Sequence, residues 1–555
     1  MKKGEIYEGK VRDLIFPNKG IATVEGVDVA VKNTLPGQEI SFILNKNKAG
    51  LKEGRLLQVL LRSEMESLNG CSVCDPCGGC VYQRISYDRE LEIKDGMARE
   101  IMRRALKQHG IEDRLDGIYE GITGSPEFCG YRNKMEFSFG NAVKDGPLTL
   151  GMHVPGHFMD VIDTPDCNIV DADFRMIRAY AEAYAHNHEL PFYHRQSGTG
   201  FLRNLLVRKG LNTGEILVDI VTTTQGELDR EAFAAGIGKL PLHGSLAGVL
   251  HTMDDDVADT VKNESTVVIS GRDYIFDEVL GLRFRISPFS FFQTNTHGAE
   301  VLYSRVREYV RDAAGSGAGT VYDLYSGTGT IAQLMSDSAS WVFGVEIVPE
   351  AVEAARINAG LNGIGNVEFL CGDVLKVLDE VAEKPELIIL DPPRDGVNPK
   401  ALRKILDYGV KNIVYVSCKI TSLARDLHMM IDAGYEPVRL SVIDMFPRTA
   451  NFETVCILSK LSSAKEHIEI TVDMDELDLT SAEAKATYNE IRDWVQEHYS
   501  MHVTNLNIAQ VKQKHGIIER ENYNKPKSPD SKQPGCPEEK VKAIEDAMRH
   551  FQMID

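Results

Sequence analysis

Between residues 286 and 460, five short apolar runs alternate with helical spacers: 321–324, 341–345, 367–370, 387–390 and 413–416. Strands that are apolar on both faces must be covered on both faces. Parallel neighbours also need long crossovers, for which the helical spacers provide the length. The pattern predicts a Rossmann-like α/β domain over 286–460, with ligands bound at the carboxyl ends of its strands.

Other segments follow other rules. Residues 1–62 carry brief β-type runs (20–31 and 38–44) between Gly, Pro and Asn turns, which predicts a small OB-like β-barrel. Residues 63–285 hold a cysteine cluster and a helical stretch at 87–109. They continue with strands at 131–139 and 215–221 and a helix near 171–187, an α+β mixture. After Lys460 come an acidic link (471–478), helices at 484–498 and 505–514, and a Pro/Lys/Ser loop at 524–537. The expected architecture is multidomain α/β, with domains at 1–62, 63–285 and 286–460 and a linker plus helical module at 461–555.

Composition narrows the class. Hydrophobic residues make up 43% and charged residues 26%, as in ordinary globular chains. No run reaches the roughly 18 apolar residues of a membrane span. The start, Met1-Lys-Lys-Gly-Glu-Ile-Tyr7, lacks an apolar signal core, so a cytoplasmic protein without membrane association is expected. A net charge of −20 argues against coating nucleic acid indiscriminately. Residues 1–62 nevertheless carry eleven Lys/Arg against seven Asp/Glu, which fits local phosphate contact. Of ten cysteines, Cys71, Cys74, Cys77 and Cys80 crowd into ten residues. Without a secretory signal, such crowding points to metal or cluster ligation rather than disulfides.

The first apolar run of the α/β segment leads into Asp323-Leu-Tyr-Ser-Gly-Thr-Gly-Thr330, a tight turn where backbone can approach a ligand. Glu346 closes the next strand, where a carboxylate can take both ribose hydroxyls of an adenosyl ligand, and Asp373 ends the one after. Carboxylates around a ligand without phosphates suit the sulfonium cation of S-adenosylmethionine.

Cys418 closes the run 412–417, and Glu453 leads into the strand 455–458. This pair answers a specific chemical need. C5 of uracil belongs to an electron-poor enone and does not attack a methyl group. A thiolate adding to C6 turns C5 into an enolate carbon that can take the methyl. The C5 proton must then leave before the thiolate does, which requires a general base. Cys371 and Cys456, ending or inside strands, fit structural burial better than Cys418 does.

The motifs together resemble a known family. They are Phe291-Phe-Gln-Thr-Asn295, the 323–330 loop, Asp391-Pro-Pro-Arg394, Ser417-Cys-Lys-Ile-Thr-Ser-Leu-Ala-Arg-Asp426, Met445-Phe-Pro-Arg-Thr449 and Asn451-Phe-Glu-Thr454. They are similar to the S-adenosylmethionine-dependent RNA uracil-5-methyltransferases over roughly residues 1–460. The resemblance implies Cys418 as nucleophile and Glu453 as base. It also implies a methyl-donor site lined by Gln293, Tyr325, Glu346, Asp391 and Asp373. Lys419-Ile420 replaces the family's Asn-Pro after the nucleophile, and Asn451-Phe452 its His-Val before the base.

Cys71, Cys77, Cys80 and Cys167 resemble the four-cysteine [4Fe–4S] site of the 23S ribosomal RNA branch. Four thiolates suit zinc equally well by ligand type, and Cys74 is an extra thiol in the same loop. Residues 1–62 resemble a TRAM domain, a small RNA-binding barrel. The implied partner is 23S ribosomal RNA, acted on by a monomer with no obligate protein partner. The expected reaction is 5-methyluridine formation on an extruded base. The alternatives are the same chemistry on tRNA and a non-catalytic RNA-binding Fe–S protein. Arg132 and Lys134, with Phe137 and Phe139 nearby, read either as RNA contacts or as a solvated strand face. Residues 503–533, with six Lys/Arg against three Asp/Glu, read as a helix-turn-helix-like contact or a plain appendage.

Overall fold

Three large sheets carry the first of two units, Met1–Ser462. The computed structural model describes residues 1–46, 51–67, 71–256, 265–314, 317–381, 383–461, 488–499, 501–515, 537–551 and 553–554. The first sheet is a closed barrel of Ile6–Ile15, Lys19–Val24, Val27–Lys32, Glu39–Lys46 and Lys52–Leu61. The expected 20–31 run is a hairpin. It turns at Glu25 (φ 51°) and Gly26 (φ 77°), two successive positive φ values of the kind that match the twist of paired strands. Val11, Ala22, Val29, Val31, Ile40, Phe42 and Leu44 fill the barrel.

The second sheet has seven strands, mostly antiparallel, with Leu202–Lys209 and Lys134–Asn141 near its middle. The helices Ala172–Asn187 and Arg230–Ile237 bury their apolar faces with it, among Phe137, Phe139, Phe174, Ile177 and Phe233. This corrects the expectation for Phe137 and Phe139, which are 0% and 5% exposed and so do not meet RNA. Strand side chains alternate, so these two face the core with Met135, while Lys134, Glu136 and Ser138 point the other way.

The third sheet has eight strands in the order Val367–Cys371, Ala339–Glu346, Ala318–Leu324, Leu387–Leu390, Asn412–Ser417, Glu453–Lys460, Tyr435–Ile443 and Tyr119–Thr123. The first five are mutually parallel, and Glu453–Lys460 enters antiparallel to Asn412–Ser417. The chain order reverses between Ala318–Leu324 and Leu387–Leu390, which opens a crevice at their carboxyl ends.

The eighth strand comes from the 63–285 segment, and so does the helix Tyr87–Lys107 that packs against the same core. Ala98, Met102, Ala105 and Leu106 lie with Tyr415, Ile420, Leu423 and Leu427. Ser86 caps that helix, with acidic residues in its first turn and basic ones in its last.

In the second unit, the helices Tyr488–Tyr499, Asn505–Lys514 and Glu538–His550 share a core of Ile491, Val495, Val503, Ile508, Val511, Ile544 and Met548. The expected link at 471–478, the start of the 484–498 helix and nearly all of the 524–537 loop lie outside the described residues. Among the described residues, no helix is long and apolar enough to cross a membrane.

Candidate active site

The crevice is lined by acids. Asp323, fully buried near the end of Ala318–Leu324, accepts a hydrogen bond from the Ala332 amide (2.9 Å) through Oδ2. Its Oδ1 is buried without a partner. Burial, then Asp391, then Glu346 hold this carboxyl well above the usual range. The turn that follows is conformationally costly. Tyr325 adopts φ 67°, rare for a side-chain-bearing residue and often found at functional sites. At Gly329 (φ 72°) a Cβ would meet the Phe369 ring at 2.4 Å.

Glu346 ends its strand and fixes the loop, accepting from the Gly327 amide (3.0 Å) and the Val348 amide (2.9 Å). Each oxygen retains a lone pair for a further donor. Asp391 directly follows Leu387–Leu390 across the crevice, and burial raises it to about 7. Asp373 does not end a strand. It is the N-cap of Val374–Glu380, accepts from the Leu375 amide (2.8 Å) and raises the Tyr325 phenol behind the larger effect of burial. Asn133 Nδ2 donates to the Gln293 carbonyl (2.8 Å), and the Gln293 side chain hydrogen-bonds the buried Tyr303 hydroxyl.

Cys418 and Glu453 face each other by strand register. Ser417 pairs with Thr454 across the antiparallel strands, which brings the next residues out, 418 and 453, opposite one another. Burial, then Glu453 and Asp391, push the Cys418 thiol up to about 11. Burial, then Asp391, push Glu453 up to about 8, and its Oε2 is buried without a partner. Arg394 opposes both shifts. At neutral pH the resting pair is therefore a thiol beside a carboxylic acid, and the Arg394 cation is available to an anion forming between them.

Gln293, Tyr325, Glu346, Asp391 and Asp373 thus gather around one crevice with Cys418 and Glu453 at its side. Asp323, Tyr303 and Arg394 were not singled out from the sequence. Arg394 lies in the Asp391–Arg394 motif and Asp323 heads the 323–330 loop, but Tyr303 carries no signal in sequence. Cys371 is exposed, contrary to its expected burial, because it ends an edge strand; Cys456 is buried. Phe452, where the family has Val, is 1% exposed and packs edge-on against Phe16, next to the barrel strand Ile6–Ile15 (5.7 Å).

A fully buried ion network holds the segment leading to Glu453. Lys94 Nζ donates to Glu90 and Asp444 (2.7 Å each) and to the Phe446 carbonyl (3.3 Å). Glu90 also accepts from the Arg448 amide (2.7 Å), where the backbone takes φ 70°. Lys94→Met would leave buried Asp444 without its cation and Glu90 with Arg448 alone (3.5 Å), which should cost about 3–5 kcal/mol. Chemical unfolding that showed a loss below about 1 kcal/mol would contradict this role for the network.

The four cysteines resembling a cluster site, with Cys74, border one pocket between the 71–80 loop and the central sheet. Cys80 lies near Cys71, Cys77 and Cys167, and Cys167 near Cys71 and Cys77, each raising its neighbour's pKa behind the larger effect of burial. Cys74 is raised by burial, then by Asp75 and Cys71 against Arg84, and it raises the Cys77 thiol in turn. The Gly79 amide and Gln83 Nε2 reach the sulfurs of Cys77 (3.4 Å) and Cys80 (3.5 Å). Among the described residues, however, no group of three or more Cys, His, Asp or Glu is placed to hold a metal ion. The thiols share a pocket without converging on single-ion geometry.

Fold and crevice together define the class: a Rossmann-like methyltransferase domain with an acid-lined crevice and a Cys–Glu pair. A family model, tRNA (Uracil-5-)-methyltransferase, matches residues 258–461. An uncharacterized RNA methyltransferase of Clostridium tetani is 42% identical, over 82% of this chain and 98% of the relative. Another, from Caldanaerobacter subterraneus subsp. tengcongensis, is 43% identical over 83% and 100%. The solved Pyrococcus abyssi tRNA (uracil-54, C5)-methyltransferase, in complex with S-adenosyl-L-homocysteine, shares the fold. Its TM-score is 0.63 at 23% identity, covering 81% of this chain and 100% of that one. The chain belongs to the S-adenosylmethionine-dependent RNA uracil-5-methyltransferase family.

Proposed function

We propose that this protein methylates C5 of a specific uridine in 23S ribosomal RNA through a covalent Cys418–C6 adduct. The observation that carries the chemistry is the facing of Cys418 and Glu453 across paired strand ends. S-adenosylmethionine, when bound, supplies the electrophilic methyl group. The orphaned Asp323 Oδ1 and the Asp323–Asp391–Glu346 group support a site for its cation, in which Glu346 would take the ribose hydroxyls and Gln293, Tyr325 and Asp373 would complete the lining. With the Cys418 and Glu453 protons lost to solvent and Arg394 favouring the thiolate, Cys418 adds to C6 of the extruded base and C5 becomes an enolate carbon that takes the methyl group. The Glu453 carboxylate then accepts the C5 proton, the C5–C6 double bond re-forms, and the thiolate leaves.

The choice of ribosomal RNA rests on the likeness of barrel and cysteine loop to that branch, with the barrel read as a TRAM-type RNA-binding module. The Pyrococcus neighbour, named for tRNA, spans a share of this chain close to that of the first unit, and it favours tRNA as the second reading. Mapping 5-methyluridine in total RNA from a deletion strain decides between them. Loss at a 23S position supports the proposal, and loss confined to tRNA overturns it.

Our reading of the cysteine pocket is a [4Fe–4S] cluster held by Cys71, Cys77, Cys80 and Cys167, supported by the nearness of these thiols and by N–H donors at two of the sulfurs. Its role would be structural, because methyl transfer needs no redox step. Anaerobically purified protein should hold about four iron per chain and absorb broadly near 400 nm. Cys80→Ser should lose most of the iron, while Cys74→Ser keeps it. Stoichiometric zinc, or iron lost with Cys74 but kept without Cys80, would refute this assignment.

A further inference from the structure

We propose that the outer face of the Phe128 ring is a stacking platform for an unpaired nucleobase of the RNA substrate, at the lip of the catalytic crevice. This deepens the function proposed above and rests on it. Phe128 is 41% exposed. One side of the ring is occupied by Tyr87, stacked at 4.9 Å and 25° between planes. The Arg448 guanidinium lies 4.9 Å from the Phe128 centroid and 5.8 Å from that of Tyr87.

The surrounding segment is pinned at several points. The Ser125 amide donates to the Tyr87 hydroxyl (2.7 Å), and Asn295 Nδ2 donates to Ser125 Oγ (2.9 Å). Glu127 meets His297 (2.7 Å), and the Gly130 amide donates to the Asn168 carbonyl (2.8 Å). Arg448 is held in turn by the Ile85 carbonyl (2.9 Å). A large aromatic ring in water is thus kept in one orientation by backbone and side-chain bonds on either side of it.

Position and chemistry identify the occupant. Asn295, which holds this segment, is two residues from Gln293, and Arg448 is five residues before Glu453. The ring's chain neighbours, Pro126, Glu127, Cys129 and Gly130, provide no apolar groove for a peptide. The Arg448 guanidinium, buried and paired with Glu90 (3.5 Å), holds the ring pair from behind, and a rigid exposed π-face is what proteins offer to an unstacked base. Extruding a uridine leaves its neighbours unstacked, and a platform beside the crevice would offset that cost.

The test uses full-length protein, saturating S-adenosylmethionine and total RNA from a strain lacking the gene as methyl acceptor. Phe128→Leu keeps apolar contact with Tyr87 but cannot stack, so KM for RNA should rise roughly ten-fold, the order expected for one lost base–aromatic stack. The kcat, S-adenosylmethionine affinity and melting temperature should stay near wild type, and Phe128→Trp should restore KM. A KM within two-fold of wild type for Phe128→Leu, or failure of Phe128→Trp to restore it, would overturn the platform while leaving the methyltransferase reading intact. A wild-type protein that methylates no RNA would overturn that reading, and the platform with it.

Discussion

Changing Cys418 to alanine is expected to lower RNA methylation by at least about 10⁴-fold, because without thiolate addition C5 never becomes a nucleophile. The affinity for S-adenosylmethionine should stay close to wild type, since the crevice acids proposed to hold the donor (Asp323, Glu346 and Asp391) come from other strands. Filter binding of labelled donor and methyl transfer to RNA, measured on the same preparation, separate the two effects. An alanine variant that methylates at a near-normal rate would remove Cys418 from the mechanism. The thiol is raised to about 11 by burial and neighbouring acids, so the active nucleophile needs Arg394 and a reordering of charge on substrate binding.

Glu453→Gln should separate the two halves of the reaction. The amide keeps the shape but cannot take a proton, so methyl transfer proceeds while elimination stalls. A denaturation-resistant protein–RNA species carrying the methyl group should accumulate, with release of free product reduced by roughly 10²–10⁴-fold. Release of methylated RNA at the wild-type rate would place the base elsewhere. The wild-type release step should also rise with pH between roughly 7 and 9, because burial lifts the Glu453 carboxyl from 4.5 to about 8 and only the carboxylate is a base. The same shift has a stability consequence in the ligand-free protein. The folded state keeps a proton that the unfolded chain releases, so the contribution of Glu453 is lost as pH climbs from about 5 to about 8.

Much of the fold was legible because its signals are local. All five apolar runs of the α/β segment are parallel strands, and the helix expected at 505–514 is there. Residues that depend on distant pairing were not legible. Tyr119–Thr123 reads as part of the upstream segment but completes the eight-stranded sheet, since strand partners are set by tertiary packing rather than by sequence neighbourhood. Phe137 and Phe139 looked accessible beside Arg132 and Lys134 because period-two alternation gives two faces without saying which one a helix will cover.

The site divides in the same way. Residues at strand ends in motifs, such as Glu346, Asp391 and Cys418, could be placed from sequence. Tyr303 reaches the crevice from the middle of the helix Thr296–Ala314, and Lys94 meets Asp444 across 350 positions of sequence; a lone tyrosine or lysine announces neither. Phe452, a departure from the family pattern, makes sense only beside Phe16.

The central claim is covalent catalysis at C5, and 5-fluorouridine tests it directly. RNA transcribed with 5-fluorouridine offers a C5 fluorine that no base can remove as a cation, so the reaction should halt after methyl transfer, before the thiolate leaves. Incubated with S-adenosylmethionine, the protein should form a denaturation-resistant complex. After nuclease and protease digestion, mass spectrometry should find a methylated fluorouridine on the peptide containing Cys418. A methylated, fluorine-bearing RNA released free, or an adduct on another cysteine, would contradict the account.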